Sequence, residues 1–377
     1  MTKDIDSNAK KAGKEKNIAI VHDFLLYPGG AERVLMDIAT LFPQAPIYTL
    51  LYDEKRMGEY FPPERIRTSF LQKSPHVVRH KHRYLLPFYG TAVESFDLRD
   101  FDVVVSSSGA WSKGIVTRLH TKHIAYIHSP MRYVWDENEK YLKQAKGVKN
   151  NFCIRALLSY LRVWDHQAAQ RPDVLVANSF YTKKRIQKYY RRDAHVVYPS
   201  VSIKPVESNK PFPYDYFLII ARLSRYKNVA LAIETCNKLK LPLIVVGEGR
   251  EQKNLEKLAG NTIKMLGWVN EKEKACLLTH ARALLFPSED DFGIVCAEAV
   301  SVGTPVIALR RGGACEIVKE GVGGEFFDAP LVGVMADALR RFLEKEEIYN
   351  RKKIMASATN YTSERFTNEM REIIDNA

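Results

Sequence analysis

Short apolar runs alternate with helix-like segments along this chain, and the alternating series occurs twice. The first series begins with IAIVH (18–22), continues with the helix pattern AERVLMDIATLF (31–42) and includes DVVVSSS (102–108). The second includes YFLIIA (216–221) and LPLIVVG (241–247). Strands that alternate with helices form parallel sheets with helices on both faces. The sequence therefore predicts an α/β fold with two doubly wound domains.

Changes in composition predict where these domains begin and end. Residues 1–16 are polar, lysine-rich and aperiodic, so we expect a disordered basic tail. Residues 201–215 contain three prolines and no clear periodicity, which indicates a linker. The linker separates an N-terminal domain, 17–200, from a C-terminal domain, 216–361. The last helix-like stretch, 362–377, is expected to pack back on one of the two, with the N-terminal domain as the first candidate.

Length, apolar content and charge narrow the class of protein. A chain of 377 residues suits two domains of ordinary size. No apolar run reaches the roughly 20 residues that cross a bilayer, and no apolar signal segment opens the chain, so we expect a cytoplasmic protein. The five cysteines contain no C-x-x-C pair, which argues against a zinc site. The first 200 residues carry 32 Lys and Arg against 20 Asp and Glu, so this half would meet an anionic surface.

The segment FPSEDDFGIVCAEAVSVGTPVIAL (286–309) has the strongest chemical pattern. An apolar run ends in an acidic loop with Asp290, and Gly293 precedes a helix pattern that starts at Ile294 and contains Glu298. The free amides and positive dipole end at the start of a helix bind phosphate. We therefore expect one carboxylate to contact a sugar hydroxyl and the other a ribose. The alternative is an acidic cap on an ordinary surface helix.

A second candidate lies in ARLSRYKN (221–228), directly after the apolar run YFLIIA. Arg222 and Lys227 precede the helix pattern NVALAIETCNKL. Two cations in such a loop can bind one pyrophosphate and offset the charge of a leaving group. Two solvated surface charges are the alternative. A nucleotide base would be contacted by backbone atoms near Trp268 and Val269. Such a contact requires no particular side chain, so the sequence gives little sign of it.

Two segments of the N-terminal half would complete a site. Gly29 and Gly30 lie between the first strand and the first helix in HDFLLYPGGAERV, where they let the backbone approach a ligand closely. His128 ends the run HIAYIH and is followed by Ser129 and Pro130, which places its ring at the rim of the sheet. A plain strand-to-helix turn and a structural histidine are the alternatives.

The segment 73–98 combines cations with aromatic residues. Lys73, Arg79, Lys81 and Arg83 are interleaved with histidines and followed by YLLPFY. This composition suits an interfacial segment on an anionic membrane, where each charge contributes about 1 kcal/mol. A buried aromatic helix with solvated charges is the alternative. No nucleic-acid motif accompanies it, so we expect no nucleic-acid partner.

Some short patterns carry no functional prediction. Asp100-Phe101-Asp102 spells D-x-D, but it precedes a strand and so lies away from the ligand edge of a parallel sheet. We therefore expect no metal. Gly247-Glu248-Gly249 lacks the third glycine of a dinucleotide-binding loop, and no other cofactor motif is present, so no cofactor is expected.

Together the motifs resemble those of the family 4 retaining glycosyltransferases, which have the GT-B architecture of two Rossmann-like domains. Asp290 and Glu298 match the family's E-x7-E motif, with Asp in place of the first Glu, and Glu289 beside it leaves open which acid reaches the sugar. The loop from Ala221 to Lys227 resembles the motif G-R-L-x-x-x-K. HSPMRY, from His128, resembles a segment of the mannosyltransferase branch, which acts in bacterial polysaccharide and O-antigen assembly.

This resemblance implies that a hexose, mannose from GDP-mannose above all, is transferred with retained configuration and without a metal. The acceptor would be lipid-linked or a polysaccharide at the inner face of the membrane. Arg222, Lys227 and the amides that follow Phe292 would hold the departing diphosphate, and His128 would bond a sugar hydroxyl or the diphosphate. Two alternatives stay open, namely a related epimerase or phosphorylase, and a non-catalytic membrane-docked binding protein.

Overall fold

The computed structural model describes residues 16–75, 82–136, 138, 152–207 and 211–376. Within these residues the chain forms two parallel sheets, each flanked by helices. The predicted fold class of two doubly wound domains is therefore confirmed. The tail predicted as disordered lies, apart from residue 16, outside the described residues.

Seven strands form the first sheet, and all neighbouring strands are parallel. They are β1 Ile18–His22, β2 Ile47–Thr49, β3 Ile66–Thr68, β4 Val103–Ser108, β5 Lys122–Ile127, β6 Val174–Ala177 and β7 His195–Val196. Their order is β3-β2-β1-β4-β5-β6-β7, so the winding reverses between β1 and β4. Ligands of such sheets bind beyond the carboxyl ends of the strands at this reversal.

Six parallel strands form the second sheet. They are β8 Phe217–Ile220, β9 Leu243–Val246, β10 Ile263–Gly267, β11 Leu284–Phe286, β12 Val306–Leu309 and β13 Gly324–Phe327. Their order is β10-β9-β8-β11-β12-β13, so the winding reverses between β8 and β11. The loops that carry the predicted cations and carboxylates follow these two strands.

Helices connect the strands and cover both sheets. Those of the described residues are α1 Gly30–Leu41, α2 Glu54–Met57, α3 Tyr89–Glu94, α4 Phe152–Ala168, α5 Phe180–Tyr190, α6 Val229–Leu239, α7 Gln252–Leu258, α8 Glu271–His280, α9 Ile294–Ser301, α10 Ala314–Ile317, α11 Val332–Glu344, α12 Arg351–Ala356 and α13 Ser363–Asn376. None of them combines the length and apolar character needed to span a bilayer. Within the described residues 199–207 and 211–216 there is no helix or strand.

The segment predicted to lie on a membrane is divided between core and surface. Leu85 and Tyr89 are buried in the N-terminal core, and the ring of Phe88 is exposed. Arg79 and Lys81 lie outside the described residues. Core packing therefore accounts for part of the apolar run.

The C-terminal helix α13 returns to the N-terminal sheet. Phe366, Met370 and Ile374 are buried in one core cluster with Ile20 and Val34, and α13 contacts α1. These three residues are spaced by four along α13, so they share one helix face. The N-terminal core is thus completed by the last residues of the chain.

Replacing Phe366 with Ala should lower the free energy of unfolding by about 3–5 kcal/mol, because a fully buried ring would leave a cavity. Urea denaturation of the purified protein measures this change. The control Asn368→Ala alters an exposed position of the same helix and should change stability by less than about 0.5 kcal/mol. Equal effects of the two substitutions would contradict the packing of α13 on this core.

Candidate active site

Loops at the carboxyl ends of the two sheets meet in a crevice between the domains. The loop after β11 contacts residues that follow β5 and β6 of the other sheet, where Ser179 Oγ donates to the Asp291 carbonyl at 2.6 Å. Gly30 lies so close to α9 that a Cβ there would be 2.8 Å from Ile294 Cδ1. Gly30 therefore permits close contact between the two predicted phosphate-facing loops.

Lys227 and Asp290 form an ion pair at the point where the winding of the second sheet reverses. Lys227 ends a short 3-10 turn after β8, and its Nζ donates to Asp290 Oδ2. Asn228 Nδ2 donates to the Pro287 carbonyl at 2.9 Å, which ties the two loops together. Burial alone would lower the pKa of Lys227, but the charge of Asp290, the hydrogen bond to it and a contribution from Tyr226 together raise the pKa. Lys227 is therefore a stable cation at this edge.

Helix α9 begins beside this pair without a side-chain cap. Gly293 has φ +97°, a left-handed conformation that favours glycine, and precedes the first helical residue, Ile294. The Phe292 ring is buried, with centroids 5.8 Å from Tyr198 and 5.7 Å from Tyr361. The fixed turn aims the first amides of the helix, which have no partner within a helix, at the crevice edge.

Glu298 lies inside α9 and is 1% exposed. Its Oε1 accepts from Lys274 Nζ at 2.7 Å and also from Arg33 of the opposite domain. Arg33 in turn contacts Glu271, and the two carboxylates raise the pKa of Arg33 although its burial acts against this. The predicted contact of Glu298 with a ribose stays a prediction, and the structure adds an interdomain ion pair to this residue.

Arg222 lies exposed in the same loop as Lys227, and its Cζ is 6.0 Å from the ring centroid of Tyr27. The loop rests on two glycines after β9. A Cβ on Gly247 would come within 2.0 Å of the Ala221 carbonyl, and one on Gly249 within 2.1 Å of the Leu223 carbonyl. The G-E-G sequence therefore supports the Arg222 loop through close backbone packing.

Trp268 and Val269 follow β10 at the same edge. Trp268 is 64% exposed, whereas Val269 is partly buried against the C-terminal core. The Gly267 carbonyl accepts from Gly247 N at 2.7 Å, so the loops after β9 and β10 are joined. This places the predicted base-reading backbone next to the loop of Arg222.

His128 lies at the end of β5 and bonds to its own domain. Its Nε2 is 2.7 Å from Ser107 Oγ, and Ser107 Oγ is 3.0 Å from His22 Nδ1. Burial, with a smaller effect of His22, lowers the pKa of His128 to about 3. The ring is therefore neutral at physiological pH. Gly29 lies above this group, where a Cβ would be 2.7 Å from Glu32 Oε2.

Asp290 and Glu289, the two acids that the resemblance leaves as candidates for the sugar contact, have different partners. Asp290 pairs with Lys227, whereas Glu289 Oε1 accepts from the Tyr181 hydroxyl at 2.7 Å. The Tyr181 contact comes from the opposite domain, so Glu289 joins the domains. Asp290 is the acid that pairs with Lys227, whereas Glu289 Oε2 is 4.0 Å from Arg311 Nη1.

Sequence reasoning missed a carboxylate, Asp291, that binds two arginines of the opposite domain. Asp291 Oδ2 accepts from Arg132 Nε at 2.8 Å, and Oδ1 accepts from Arg185. Arg185 also donates to Asp136 at 2.8 Å and is buried. We call Asp291, Arg132 and Arg185 the interdomain clasp. Arg132 lies in the HSPMRY segment, but its partner is 159 residues away, and no local pattern indicates that pairing.

A second carboxylate crosses the crevice at the start of α5. Glu316 of the C-terminal domain accepts from the amides of Phe180 and Tyr181 at 2.9 and 2.7 Å. A carboxylate at a helix N-terminus is stabilised by free amides and by the helix dipole. Glu316 thus caps a helix of the other domain.

The described residues contain no group of three or more His, Cys, Asp or Glu side chains placed to hold a metal ion. Metal independence stays a prediction.

Comparisons with known proteins agree with this architecture. Residues 28–204 match the family described as Glycosyltransferase Family 4, and residues 200–359 match the family described as Glycosyl transferases group 1. An uncharacterized glycosyltransferase of Methanocaldococcus jannaschii, MJ1178, is 22% identical over 85% of this chain and 87% of its own. The alpha-1,3/1,6-mannosyltransferase ALG2 of Dictyostelium discoideum is 25% identical over 95% and 96%.

Solved structures show the same fold. Anabaena Alr3699/HepE, in complex with UDP and glucose, superposes with a TM-score of 0.73 at 17% identity, covering 96% of this chain and all of that one. Sucrose-phosphate synthase from Thermosynechococcus elongatus gives 0.72 at 14% identity, covering 95% and 98%. Two facing Rossmann-like domains define a protein of GT-B architecture. The chain belongs to the family 4 glycosyltransferases, and its activity is the transfer of a sugar.

Replacing Asp291 with Asn should loosen the closed arrangement, because two guanidinium groups would lose their shared charge. We expect a loss of about 2–3 kcal/mol in unfolding free energy, below the cost of breaking a fully buried pair, and a larger radius of gyration. Urea denaturation and small-angle X-ray scattering measure both. Asp193→Asn, in an exposed ion pair with Lys183, is the control and should change neither quantity. An unchanged radius in Asp291→Asn would show that the clasp does not hold the domains together.

Proposed function

We propose that this chain is a retaining hexosyltransferase that moves mannose from GDP-mannose onto a lipid-linked or polysaccharide acceptor. The observation that carries the proposal is the Lys227–Asp290 pair beside the uncapped start of α9, at the ligand-binding edge of the second sheet. Cation, carboxylate and free amides together suit a sugar diphosphate.

The diphosphate is the part of the donor that these groups bind best. Lys227 and the exposed Arg222 lie in one loop, and the first amides of α9 follow Gly293. Charge-assisted bonds to phosphate and the helix dipole act on the same anion. The solved relative Alr3699/HepE was crystallised with UDP and glucose, which supports a nucleoside diphosphate sugar as donor.

The sugar would lie between Asp290 and His128. Asp290 pairs with Lys227 of the cationic loop, and the charge of the adjacent Asp291 acts on the neutral His128 of the other sheet. A mannosyl group is favoured by the ALG2 relatives, which are mannosyltransferases of 24–25% identity in human and Dictyostelium. The guanine base is inferred from the resemblance of the HSPMRY segment to the mannosyltransferase branch of the family.

The mechanism follows from where the charges lie. As the bond between sugar and diphosphate breaks, Arg222, Lys227 and the α9 amides hold the negative charge that develops on the leaving group. The acceptor hydroxyl then attacks from the face that the diphosphate leaves, so the configuration is retained. The departing phosphate takes the proton of the hydroxyl, and neither a strong protein base nor a metal ion is required.

Helix α4 gives the N-terminal domain a surface suited to an anionic membrane. Phe152, Tyr160 and Val163 are 81, 60 and 62% exposed, and their spacing puts them on one helix face. Arg155 and Arg162 lie together on one side of that face. Exposed apolar side chains beside cations bind interfaces of anionic lipid. We therefore place the membrane-docked face on α4, which suits a lipid-linked acceptor.

Replacing Arg222 with Ala should weaken GDP binding by about 10–100-fold, since a charged phosphate contact contributes about 1.5–3 kcal/mol. Isothermal titration calorimetry with GDP measures the affinity, and transfer from GDP-mannose to a membrane extract measures activity. The control Arg225→Ala changes a cation of the same loop that pairs with Glu251, and it should keep both. If no nucleoside diphosphate raises the melting temperature of the wild-type protein, the proposal fails.

The same assay separates the alternatives. An epimerase would convert its nucleotide-sugar without any acceptor, and a phosphorylase would need inorganic phosphate. A binding protein would show affinity without turnover. The transferase forms glycosylated product only when the acceptor is present.

The double substitution Phe152→Ser and Tyr160→Ser should weaken binding to phosphatidylglycerol vesicles about tenfold or more, because two apolar side chains no longer enter the interface. Vesicle co-sedimentation measures the partition. Leu258→Ser, at a 40% exposed position of the C-terminal domain, is the matched control. Unchanged partition of the double variant would exclude α4 as the docked face.

A further inference from the structure

The Ser107 hydroxyl lies between two histidine rings at the base of the candidate site. Ser107 Oγ is 2.7 Å from His128 Nε2 and 3.0 Å from His22 Nδ1. Ser107 and His22 are buried, on the adjacent strands β4 and β1. A hydroxyl has one proton, so it donates to one of these nitrogens and accepts from the other. The direction in which these two hydrogen bonds run therefore decides which nitrogen of His128 carries a proton.

Glu32 sets that direction. Its Oε1 is 3.6 Å from His22 Nε2, and an ionised carboxylate only accepts, so it favours the proton on that nitrogen. A His22 ring that carries its single proton on Nε2 has a bare Nδ1, which accepts from Ser107. Ser107 must in turn accept from His128 Nε2–H. The Nδ1 atom of His128 is left without a proton.

The backbone holds these groups in place. Glu32 keeps its position because residue 29 is glycine, where any Cβ would be 2.7 Å from Glu32 Oε2. Asp23, next to His22, accepts from four consecutive amides of residues 109–112, which fixes the chain after β4. The His128 amide donates to Ser108 O at 2.8 Å, and its carbonyl accepts from Asn178 at 3.0 Å.

We propose that Glu32, His22 and Ser107 are positioning residues that hold His128 as the Nε2–H tautomer, so that its bare Nδ1 accepts a hydrogen bond from a hydroxyl of the donor sugar. The inference rests on the proposed function for the identity of the ligand. An unprotonated nitrogen cannot donate to a diphosphate, so His128 reads the sugar. The low pKa of His128 keeps the ring neutral through the physiological range.

Ring-nitrogen NMR on protein with isotope-labelled histidine tests the tautomer without turnover. At about pH 8, above the usual pKa range of histidine, wild-type His128 should show a protonated Nε2 and a bare Nδ1. The signal is assigned by its loss in His128→Gln. Ser107→Ala should remove this preference and give both tautomers. A proton on Nδ1 of wild-type His128 would overturn the proposal.

The neighbouring strand residue provides a matched control for activity. Ser106 Oγ is 2.8 Å from His123 Nε2, so Ser106→Ala removes a fully buried Ser–His bond of the same sheet. Ser107→Ala should lower kcat/KM for the donor about tenfold, the effect of one lost hydrogen bond, while Ser106→Ala keeps it. Equal losses in both variants would make the Ser107 effect merely structural and overturn the positioning role.

The NMR experiment and the activity assay together separate this inference from the proposed function. If the tautomer is found as expected but no nucleotide-sugar is consumed, the positioning role stands and the function fails. If mannose is transferred while His128 carries its proton on Nδ1, the function stands and the positioning role fails.

Discussion

The site depends on the neutralisation of carboxylates across the domain crevice. Asp291 is held by Arg132 and Arg185 of the other domain, and it is the residue next to Asp290. Because the two acids are adjacent, the bonds that join the domains also fix the loop in which Asp290 meets Lys227. The contacts that join the domains and the Lys227–Asp290 pair of the candidate site therefore involve the same loop. Cations of the N-terminal domain thus contact a loop of the candidate site, which is built largely on the C-terminal sheet.

Much of the fold could be predicted because buried parallel strands are apolar throughout. IAIVH and LPLIVVG contain the strands β1 and β9. Strand β3, Ile66–Thr68, was missed because this three-residue edge strand contains Arg67 and has two exposed residues. Short edge strands bury little surface, so their sequences carry little apolar signal. The order of strands within each sheet was not predicted, because the sequence does not show which strands pair across the sheet.

The parts of the candidate site that lie within single loops could be predicted from the sequence, and the contacts between residues distant in sequence could not. Lys227, Asp290 and Gly293 lie in the loops that follow strands β8 and β11, so the strands bring them to one edge of the sheet. The Lys227–Asp290 pair joins residues 63 apart, and Arg185 meets a carboxylate 106 residues away. Within a basic helix such as KKRIQKYYRR, nothing local separates the buried Arg185 from its solvated neighbours. The partners of Glu298 were missed for the same reason.

The return of α13 to the first sheet means that the polypeptide passes between the halves of the molecule twice. One passage runs through 197–216, and the other joins α12 to α13. Two covalent crossings restrict the relative motion of the halves far more than one flexible tether would. A cut at the proline-rich passage would leave the halves connected through the second. A fragment ending near residue 200 would lack Phe366, Met370 and Ile374 of its own core, so the N-terminal half is not an independent folding unit as one continuous stretch of sequence.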